Sequence, residues 1–426
     1  MARASEKRRL RKVIAATAAR RLVPRRRKYA PGELVEIEPD APHHPLEHGL
    51  ADHFERLARS RSRRALERDG VYQELRPEID RVLGSFEWNL RAAIAAPLRD
   101  AGAQIRAVAW NVERGKRFDA LMAAIRNHEI EGADLLMLTE LDIGMGRSGN
   151  RNVPASVAEA LGMSYVYANY HLVLARGDSG EQDTREPNAL GLHGAALLTR
   201  FPVKRIWGLG LGEFTDKFRA LEKRLGTKRA LLVELDTPSG PLLAVVVHLD
   251  PFAPPKHRAH QLRSIVAAVD HIGIDRVLLG GDFNTNTYHL GSKLGLGVDL
   301  AHKLARFGFA GTIEQYMTPE RVFERGVFGV LASAGFATEG FTDPRAGTIH
   351  YDLTDPEVQK KTLAYLPRFV FRWLEHRLQR WDGCVPMRVD HFAGRGIRPV
   401  RALTLPRDLA GRVSDHSPIV LDFTTA

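Results

Sequence analysis

Cysteine is almost absent from this chain. The 426 residues include a single cysteine, Cys384, which excludes an internal disulfide and a cysteine-ligated zinc site. Long apolar runs are missing too, because no uninterrupted stretch approaches the roughly 20 residues needed to cross a bilayer. These absences predict a reducing, cytoplasmic setting without an integral membrane segment.

Net charge is also missing from most of the chain. The formal net charge is +11, and residues 1–28 account for the whole excess, with twelve Arg and Lys against one acid, Glu6. We expect a disordered basic arm that binds nucleic acid or, peripherally, an anionic membrane surface. A solvated tail and an Arg-rich transit peptide are the alternatives, and the apolar segment at 14–19 is too short for a secretory signal.

Composition and periodicity divide the chain further. Residues 29–49 are rich in Pro, His and Gly and predict a linker. Apolar side chains at helical spacing in 50–69 and 71–99 predict a helical N-terminal extension over 50–103 that packs on the main domain. From 104 to 424 the strands outnumber the helices spread among them, which indicates a mixed α/β layered domain. The strands predicted there are Ile105–Trp110, Asp134–Thr139, Tyr165–Ala175, Gly194–Leu198, Arg229–Leu235, Leu242–His248, Val277–Leu279, Arg388–Ala393 and Ile419–Phe423, and the helices are Arg117–His128 and His257–His271.

A segment of different texture, at about 287–387, interrupts this domain. It contains Gly-rich stretches and then a predicted helix, Val358–Trp381, with a kink at Pro367. Apolar side chains can form one stripe of this helix among basic residues, and they are Leu366, Val370, Trp373, Leu374 and Trp381. Such a stripe serves either core packing or membrane anchoring, and we favour core packing.

The five residues Gly280-Gly281-Asp282-Phe283-Asn284 follow a short buried strand. The two glycines allow a turn and a close approach of backbone to a ligand. On extended backbone, Asp282 and Asn284 point to one side, where a carboxylate and an amide can hold and activate a water molecule. An Asx-rich turn that bonds only local backbone is the alternative.

Other predicted strands also end in polar side chains. These residues are Asn111, Glu140, His248, Asp390, Asp415 and His416. Each alone has an ordinary structural explanation, such as a helix cap, a surface acid or a buried histidine. Their repeated position at strand ends favours a shared site, because α/β sheets place their sites at such ends.

Together these residues resemble the endonuclease/exonuclease/phosphatase superfamily, the DNase I-like metal-dependent phosphoesterases. The matching segments, in the family's order, are WNVE at 110–113, LLMLTELD at 135–142, HGAALLTR at 193–200, VVVHLDP at 245–251, GGDFN at 280–284, RVDH at 388–391 and SDHSP at 414–418. The resemblance covers residues 104–424 and implies a four-layer αββα sandwich of two packed mixed sheets. It leaves out residues 1–103, and 287–387 departs from the compact members as an insertion.

The resemblance also implies a set of roles. Asn111 and Glu140 would hold a divalent cation, with Asp415 completing that site or a second one. Oxygen ligands without cysteine suit Mg²⁺ or Mn²⁺. Among the substrate-binding residues, Arg185 and Asn188 would reach phosphate from a loop, and Gly194 would leave room for the substrate.

The catalytic group that the resemblance implies comprises His248, Asp282, Asn284, Asp390 and His416. Asp282 would orient or deprotonate the attacking water, and Asn284 would hold phosphate or water in line. Asp390 would keep His416 charged, and His248 and His416 would donate to phosphoryl oxygens.

Three functions are consistent with this site. A phosphodiesterase acting on nucleic acid is slightly favoured, since the basic arm would add salt-dependent affinity. A phosphoesterase acting on a lipid or inositol headgroup at a membrane surface is the second. A catalytically silent binding protein on the same scaffold is the least expected, because the acids, amides and histidines of the implied site are all present.

Overall fold

The computed structural model describes residues 32–91, 104–178, 181, 184–285, 293–354, 356–363, 366–381, 383–411 and 413–425. The basic arm predicted at 1–28 lies outside these residues. Within them, none of the helices combines the length and the apolar character that crossing a bilayer requires.

The strands supply two large sheets and one small one. In chain order they are β1 (Leu34–Ile37), β2 (His43–His44), β3 (Phe86–Asn89), β4 (Gln104–Arg114), β5 (Leu135–Ile143), β6 (Ser164–Val173), β7 (Leu192–Thr199), β8 (Val203–Gly210), β9 (Arg224–Gly226), β10 (Arg229–Thr237), β11 (Gly240–His248), β12 (Val277–Asp282), β13 (Ile349–Asp352), β14 (Cys384–Met387), β15 (Asp390–Arg395), β16 (Arg398–Thr404) and β17 (Ile419–Thr424). One sheet has the order β1-β8-β10-β11-β12-β15, and the larger has the order β16-β17-β4-β5-β7-β6-β3-β2, with β9 also paired to β6. Strands β13 and β14 form a separate pair.

The helices lie between and beside these strands. They are α1 (Phe54–Ala58), α2 (Arg63–Leu66), α3 (Gly70–Gly84), α4 (Phe118–Ala124), α5 (His128–Glu131), α6 (Val153–Leu161), α7 (Pro255–Ile272), α8 (Lys293–Met317), α9 (Arg325–Ser333), α10 (Pro356–Leu363), α11 (Arg368–Leu378) and α12 (Arg407–Ala410). Short 3₁₀ turns occur at Ala51–His53, Gly146–Ser148, Lys217–Arg219 and Gln379–Trp381. Helix α8 is interrupted at Gly308, whose positive φ of 66° breaks the helical path.

The two large sheets pack face to face through apolar side chains. Met137 and Leu197 of the larger sheet share one buried cluster with Leu231 and Val246 of the smaller sheet. Helix α6 packs on the outer face of the larger sheet. Helices α7 and α9 pack on the outer face of the smaller one. The predicted four-layer αββα sandwich is therefore confirmed.

Two parallel strand pairs position the polar strand ends. Strand β4 runs parallel to β5 in the larger sheet, and β11 runs parallel to β12 in the smaller one. Parallel neighbours end at the same edge of their sheet. Asn111 and Glu140 therefore share one edge, as do His248 and Asp282.

The N-terminal region differs from its prediction. Residues 34–37, expected in a linker, form β1 and pair antiparallel with β8, with Leu34 packed beside the outer core of the smaller sheet. The helix expected over 71–99 ends at Gly84, because Phe86–Asn89 pairs with β6 as a strand. Residues 92–103 lie outside the described residues. Pro-rich and amphipathic patterns do not reveal these pairings, which depend on distant partners.

The insertion at 287–387 is only partly a separate unit. Helix α9 within it packs on α7, and Val327 and Leu331 complete the outer core of the smaller sheet. The remainder has its own small core around Ile313 and Phe371. The kinked helix predicted at 358–381 is instead two helices, since α10 ends at Leu363 and Pro367 is the N-cap residue of α11.

Candidate active site

Asp282 is a buried carboxylate at the shared edge of the two sheets, only 1% exposed. It ends β12 and accepts hydrogen bonds from the Asn284 backbone N–H at 2.8 Å and side-chain Nδ2 at 2.9 Å. Asn111 Nδ2, from the other sheet, donates to the same carboxylate at 3.2 Å. Burial, and secondarily the neighbouring Asp390, raises the pKa of Asp282 to about 7 against the opposing effect of His416. The carboxylate is thus held in place and is close to its ionisation point near neutral pH.

Asp390 and His416 form a buried pair beside Asp282. His416 Nδ1 lies 2.8 Å from Asp390 Oδ2, and the two side chains are 6% and 0% exposed. Burial works against a charged imidazole, but the Asp390 carboxylate holds the pKa of His416 well above its usual range. His416 is therefore a cation at neutral pH.

Glu140 lies on the other side of the site at a bulge in β5. The register of β5 against β7 shifts between Thr139 and Leu141, and Glu140 has a positive φ of 54°. That conformation is unfavourable for a residue with a side chain and is typical of functional positions. Burial opposes its ionisation, but Arg114 holds the pKa of Glu140 well below its usual range. Arg114 Nε and His248 Nε2 are 4.0 and 3.8 Å from the carboxylate, beyond hydrogen-bond distance.

His248 lies between the acids. Its Nε2 is 3.5 Å from Asp282 Oδ2, and both ring nitrogens are buried without a hydrogen-bond partner among the described residues. Burial, reinforced by the nearby Lys228 ammonium, lowers the pKa of His248 well below its usual range. Of the two histidines expected as donors, His416 is the cation and His248 is neutral.

Asn111 and Asp415 flank this group. Asn111 accepts from the Glu113 N–H at 3.0 Å while its amide donates to Asp282. The Asp415 side chain is 55% exposed and lies 4.0 Å from His416 Nε2. Asp415 is therefore at the open rim of the site, whereas Asn111 is in its floor.

One group in the described part of the chain has the spacing of a metal site. Asp282, Asp390 and His416 offer ligand atoms that all lie within 4.8 Å of one another. This group differs from Asn111, Glu140 and Asp415, which the sequence resemblance implied as ligands. A protonated His416 has no lone pair for a cation, so its pairing with Asp390 competes with metal ligation.

The residues expected to contact substrate are placed differently from the site residues above. Asn188 is buried, and its amide donates to the Val173 and Ala175 carbonyls and accepts from the Gly146 N–H. A Cβ at Gly194 would lie 2.1 Å from the Ala168 carbonyl oxygen, so packing requires a glycine at this position. Arg185 is exposed on the loop before β7. Asn188 and Gly194 therefore each have a structural role, and their contact with substrate stays a prediction.

Two buried cations near the acids were not expected. Lys228 precedes β10 and faces Glu140 and Asp282, and burial lowers the pKa of Lys228 to about 8. Arg114 follows the WNVE segment, with a positive φ of 73°, and pairs with Glu181. A lysine before a strand and an arginine after a motif look like surface residues in sequence, so no pattern distinguishes them.

A buried ionic network extends from Arg114 into the protein. Arg147, with a side chain 1% exposed, donates to Asp142 at 2.7 and 2.9 Å and to Glu222 at 2.6 Å. Asp142 also accepts from His193 Nδ1 at 2.8 Å. This network fixes the edge of β5 and β7 that carries Glu140.

The insertion is attached directly to the site. Thr348 Oγ1 accepts from the Val389 and Asp390 N–H groups at 2.9 and 3.0 Å. Ile349 forms an isolated antiparallel bridge with His416. The base of the insertion therefore positions both members of the Asp390–His416 pair.

The chain matches one protein-family model and is similar to several solved structures. The model of the Endonuclease/Exonuclease/phosphatase family matches residues 108–416. Among solved structures, an endonuclease/exonuclease/phosphatase from Beutenbergia cavernae is 18% identical, with 75% of this chain and 71% of that chain covered and a TM-score of 0.45. The human Nocturnin catalytic domain with bound sulfate is 15% identical over 76% and 96% of the two chains, with a TM-score of 0.41. A humanized D. rerio TDP2 is 12% identical over 76% and 99%, with a TM-score of 0.39.

No curated protein sequence matches the chain. At these identities and scores, the solved structures carry no argument about its activity.

Proposed function

Because the chain belongs to the endonuclease/exonuclease/phosphatase family, whose members act on phosphoesters, we propose that it is a divalent-metal-dependent phosphodiesterase. The observation that carries the proposal is the state of Asp282. It is a buried carboxylate with three hydrogen bonds from two asparagines and a pKa of about 7, beside a cationic histidine. A general base works best when its pKa is close to the operating pH.

Asp282 is the base that accepts a proton from the attacking water. The Asn284 and Asn111 amides occupy Oδ2 and the Asn284 N–H occupies one lone pair of Oδ1, which leaves the other Oδ1 lone pair for the water. As the water oxygen bonds to phosphorus, its proton passes to Asp282. The ester P–O bond breaks with its electron pair on the leaving oxygen, which takes up a proton from solvent.

His416 and His248 face the phosphoryl group with different charges. His416 donates from a cationic ring and stabilises the negative charge that grows on the phosphoryl oxygens. His248 is neutral, and its orphaned ring nitrogens provide a hydrogen bond to substrate or water without adding charge. Hydrolysis then depends on positioning and electrostatics, with no covalent enzyme intermediate.

The residues present fit a hard divalent cation such as Mg²⁺ or Mn²⁺. Glu140 is ionised, and among the described residues it has no cationic partner within hydrogen-bond distance. Asn111, on the neighbouring strand β4, offers an amide oxygen. We assign the cation to Glu140 and Asn111, with Asp415 at the rim as a further ligand, because His416 is protonated. When bound, the cation would polarise the phosphate and neutralise its charge.

Metal ligation is tested by a binding measurement that does not need turnover. Isothermal titration calorimetry with Mn²⁺ should show that Glu140→Gln lowers the affinity of the protein for the ion by about ten-fold or more. Asp390→Asn is the matched control, since it also removes one buried negative charge. Equal losses in the two variants, or a loss in Asp390→Asn alone, would place the ion at the Asp282–Asp390–His416 group instead.

The activity is tested with a bis-ester phosphate reporter in the presence of Mg²⁺, Mn²⁺ or EDTA. We expect metal-dependent turnover that falls by about 10²–10⁴ in Asp282→Ala, the range of a general base. Turnover unaffected by EDTA, or full activity in Asp282→Ala, would sink the proposal, and no turnover with either metal would favour a silent binding protein.

The substrate is a separate question, because the site residues act on the phosphate that all candidate substrates share. Nucleic acid is slightly favoured by the basic composition of residues 1–28. A panel of plasmid DNA, RNA, sphingomyelin and phosphoinositide vesicles decides the class. Cleavage of lipid alone would exclude the nuclease.

A further inference from the structure

Helix α11 of the insertion exposes aromatic rings to solvent. Phe369 is 75% exposed and Trp373 is 40% exposed. They lie four residues apart and therefore on the same face of the helix. Large apolar side chains exposed together on one surface mark an interaction site more often than chance placement does.

The opposite face of α11 is already used. Phe371 and Leu378 are buried in the core of the insertion with Ile313 and Leu353. Helical spacing places these two residues away from Phe369 and Trp373. Phe369 is outside that core, whereas the Trp373 ring contacts it edge-to-face through Phe309 at a centroid distance of 5.7 Å and leaves its remaining surface exposed. The stripe residues Leu374 and Trp381 pack against the same core.

Arginines border the aromatic ridge on both sides. Arg368 and Arg372 lie along one flank and Arg377 along the other, all exposed, and Arg377 packs over the Trp373 ring at 5.8 Å. Helix α11 contains one acidic residue, Glu375. We call the exposed residues Arg368, Phe369, Arg372, Trp373 and Arg377 the outer face of α11.

We propose that the outer face of α11 docks on an anionic lipid bilayer. Arginine side chains pair with anionic headgroups, while a Phe and a Trp ring enter the boundary between headgroups and acyl chains. An amphipathic helix of this composition lies in the plane of the interface. The backbone of a nucleic-acid duplex would satisfy the arginines but offers no apolar phase for Phe369. Bases of a single strand can stack on one face of an aromatic ring, but a ring that is 75% exposed buries more of its surface in the boundary between headgroups and acyl chains, so we favour the bilayer.

Docking at this face would bring the candidate active site to the membrane. The outer face belongs to the unit whose base, through Thr348 and Ile349, contacts Asp390 and His416. Such docking would favour a phosphoester in a lipid headgroup as substrate over nucleic acid, which the basic composition of residues 1–28 alone slightly favours. That consequence rests on the proposed function, whereas the docking itself concerns binding and is measured without turnover.

Vesicle sedimentation of the full chain in EDTA tests the docking. The probes are phosphatidylcholine vesicles with and without about one third phosphatidylserine. Each arginine near an anionic surface contributes about five-fold to partitioning, so Arg372→Gln/Arg377→Gln should lower partitioning to the anionic vesicles about 25-fold. Phe369→Ser should lower it about ten-fold by removing one buried ring.

The matched controls are Arg398→Gln and Val400→Ser, at exposed positions of β16, an edge strand of the larger sheet. They should partition as the wild type does. Unchanged binding in the α11 variants, or equal binding to vesicles without phosphatidylserine, would overturn the proposal. So would α11 variants that keep vesicle binding and lose affinity for plasmid DNA, which would assign the face to nucleic acid.

Turnover of the soluble reporter separates the two proposals. The α11 variants should retain it, because none of these residues lies in the catalytic group. A chain that binds vesicles through α11 but never hydrolyses the reporter would remove the phosphodiesterase and leave the docking surface in place.

Discussion

The Asp390–His416 pair offers a sharp test of how the site is charged. In Asp390→Asn the amide oxygen still accepts from His416 Nδ1, but the negative charge 2.8 Å from the ring is gone. An opposite charge at such a distance shifts a pKa by about 1–3 units, and each unit changes the ratio of charged to neutral ring about ten-fold. We therefore expect the pKa of His416 to fall by about that amount.

The loss of charge should appear in activity and in stability. Removing one donor that stabilises the transition state costs about 10²–10³ in kcat, which sets the expected loss for the reporter at neutral pH. Breaking a buried pair costs about 3–5 kcal/mol, and the retained hydrogen bond places Asp390→Asn at the lower end. Because the folded pKa of His416 is raised, the pair stabilises fully below the unfolded pKa of about 6.5 and loses its contribution as pH rises through the folded value. The stability gap between wild type and variant should thus be largest on the acid side.

The assay is NMR titration of the His416 ring, with urea unfolding at several pH values. Asp415→Asn is the control, since that carboxylate is 4.0 Å from the same ring but 55% exposed and largely screened by solvent. A His416 pKa that stays the same in Asp390→Asn, or that falls equally in Asp415→Asn, would refute the assignment of its charge to Asp390.

Two further substitutions test the packing and the ion pairs that support the site. Gly194→Ala should lower the free energy of unfolding by about 1–3 kcal/mol, because its Cβ would lie 2.1 Å from the Ala168 carbonyl oxygen. Gly297→Ala should leave the free energy of unfolding unchanged, because a Cβ at this position of α8 would meet no atom within 4 Å. Equal urea midpoints for the Gly194→Ala and Gly297→Ala variants would refute the packing argument. Arg147→Met should cost about 3–5 kcal/mol at neutral pH by leaving buried carboxylates unpaired. Burial opposes the ionisation of Asp142, whereas Arg147 favours it. The cost of Arg147→Met should therefore shrink as pH falls and Asp142 becomes protonated. A cost in urea unfolding that does not change with pH would contradict this prediction.

Much of the central fold was predictable because its strands are long, apolar and buried. The strand segments before Asn111, Glu140, His248 and Asp282 all form as expected and end at the sheet edges where those residues gather. The rule that parallel strands place their polar ends together needs only local pattern. That rule predicts from the sequence that these residues, although distant along the chain, lie close together.

Other features depend on partners that the sequence does not name. Strand β1 looked like a linker because its pairing partner, β8, lies far along the chain and was itself not predicted. Gly194 looked like space for substrate, whereas its Cβ direction is filled by the neighbouring strand. The charge of His248 depends on burial and on Lys228, neither of which a local pattern reveals.

The site is assembled from both sheets and from opposite ends of the sequence. Trp110 Nε1 donates to the His416 carbonyl at 2.8 Å across 306 positions, which joins the first strand of the site to its last element. During synthesis on the ribosome, Asn111 and Glu140 emerge long before Asp390 and His416. If the chain is the proposed phosphodiesterase, a nascent chain would carry Asn111 and Glu140 without the cationic side of the site, and hydrolysis would begin only after the segment with Asp390 and His416 has been made and has docked against Trp110.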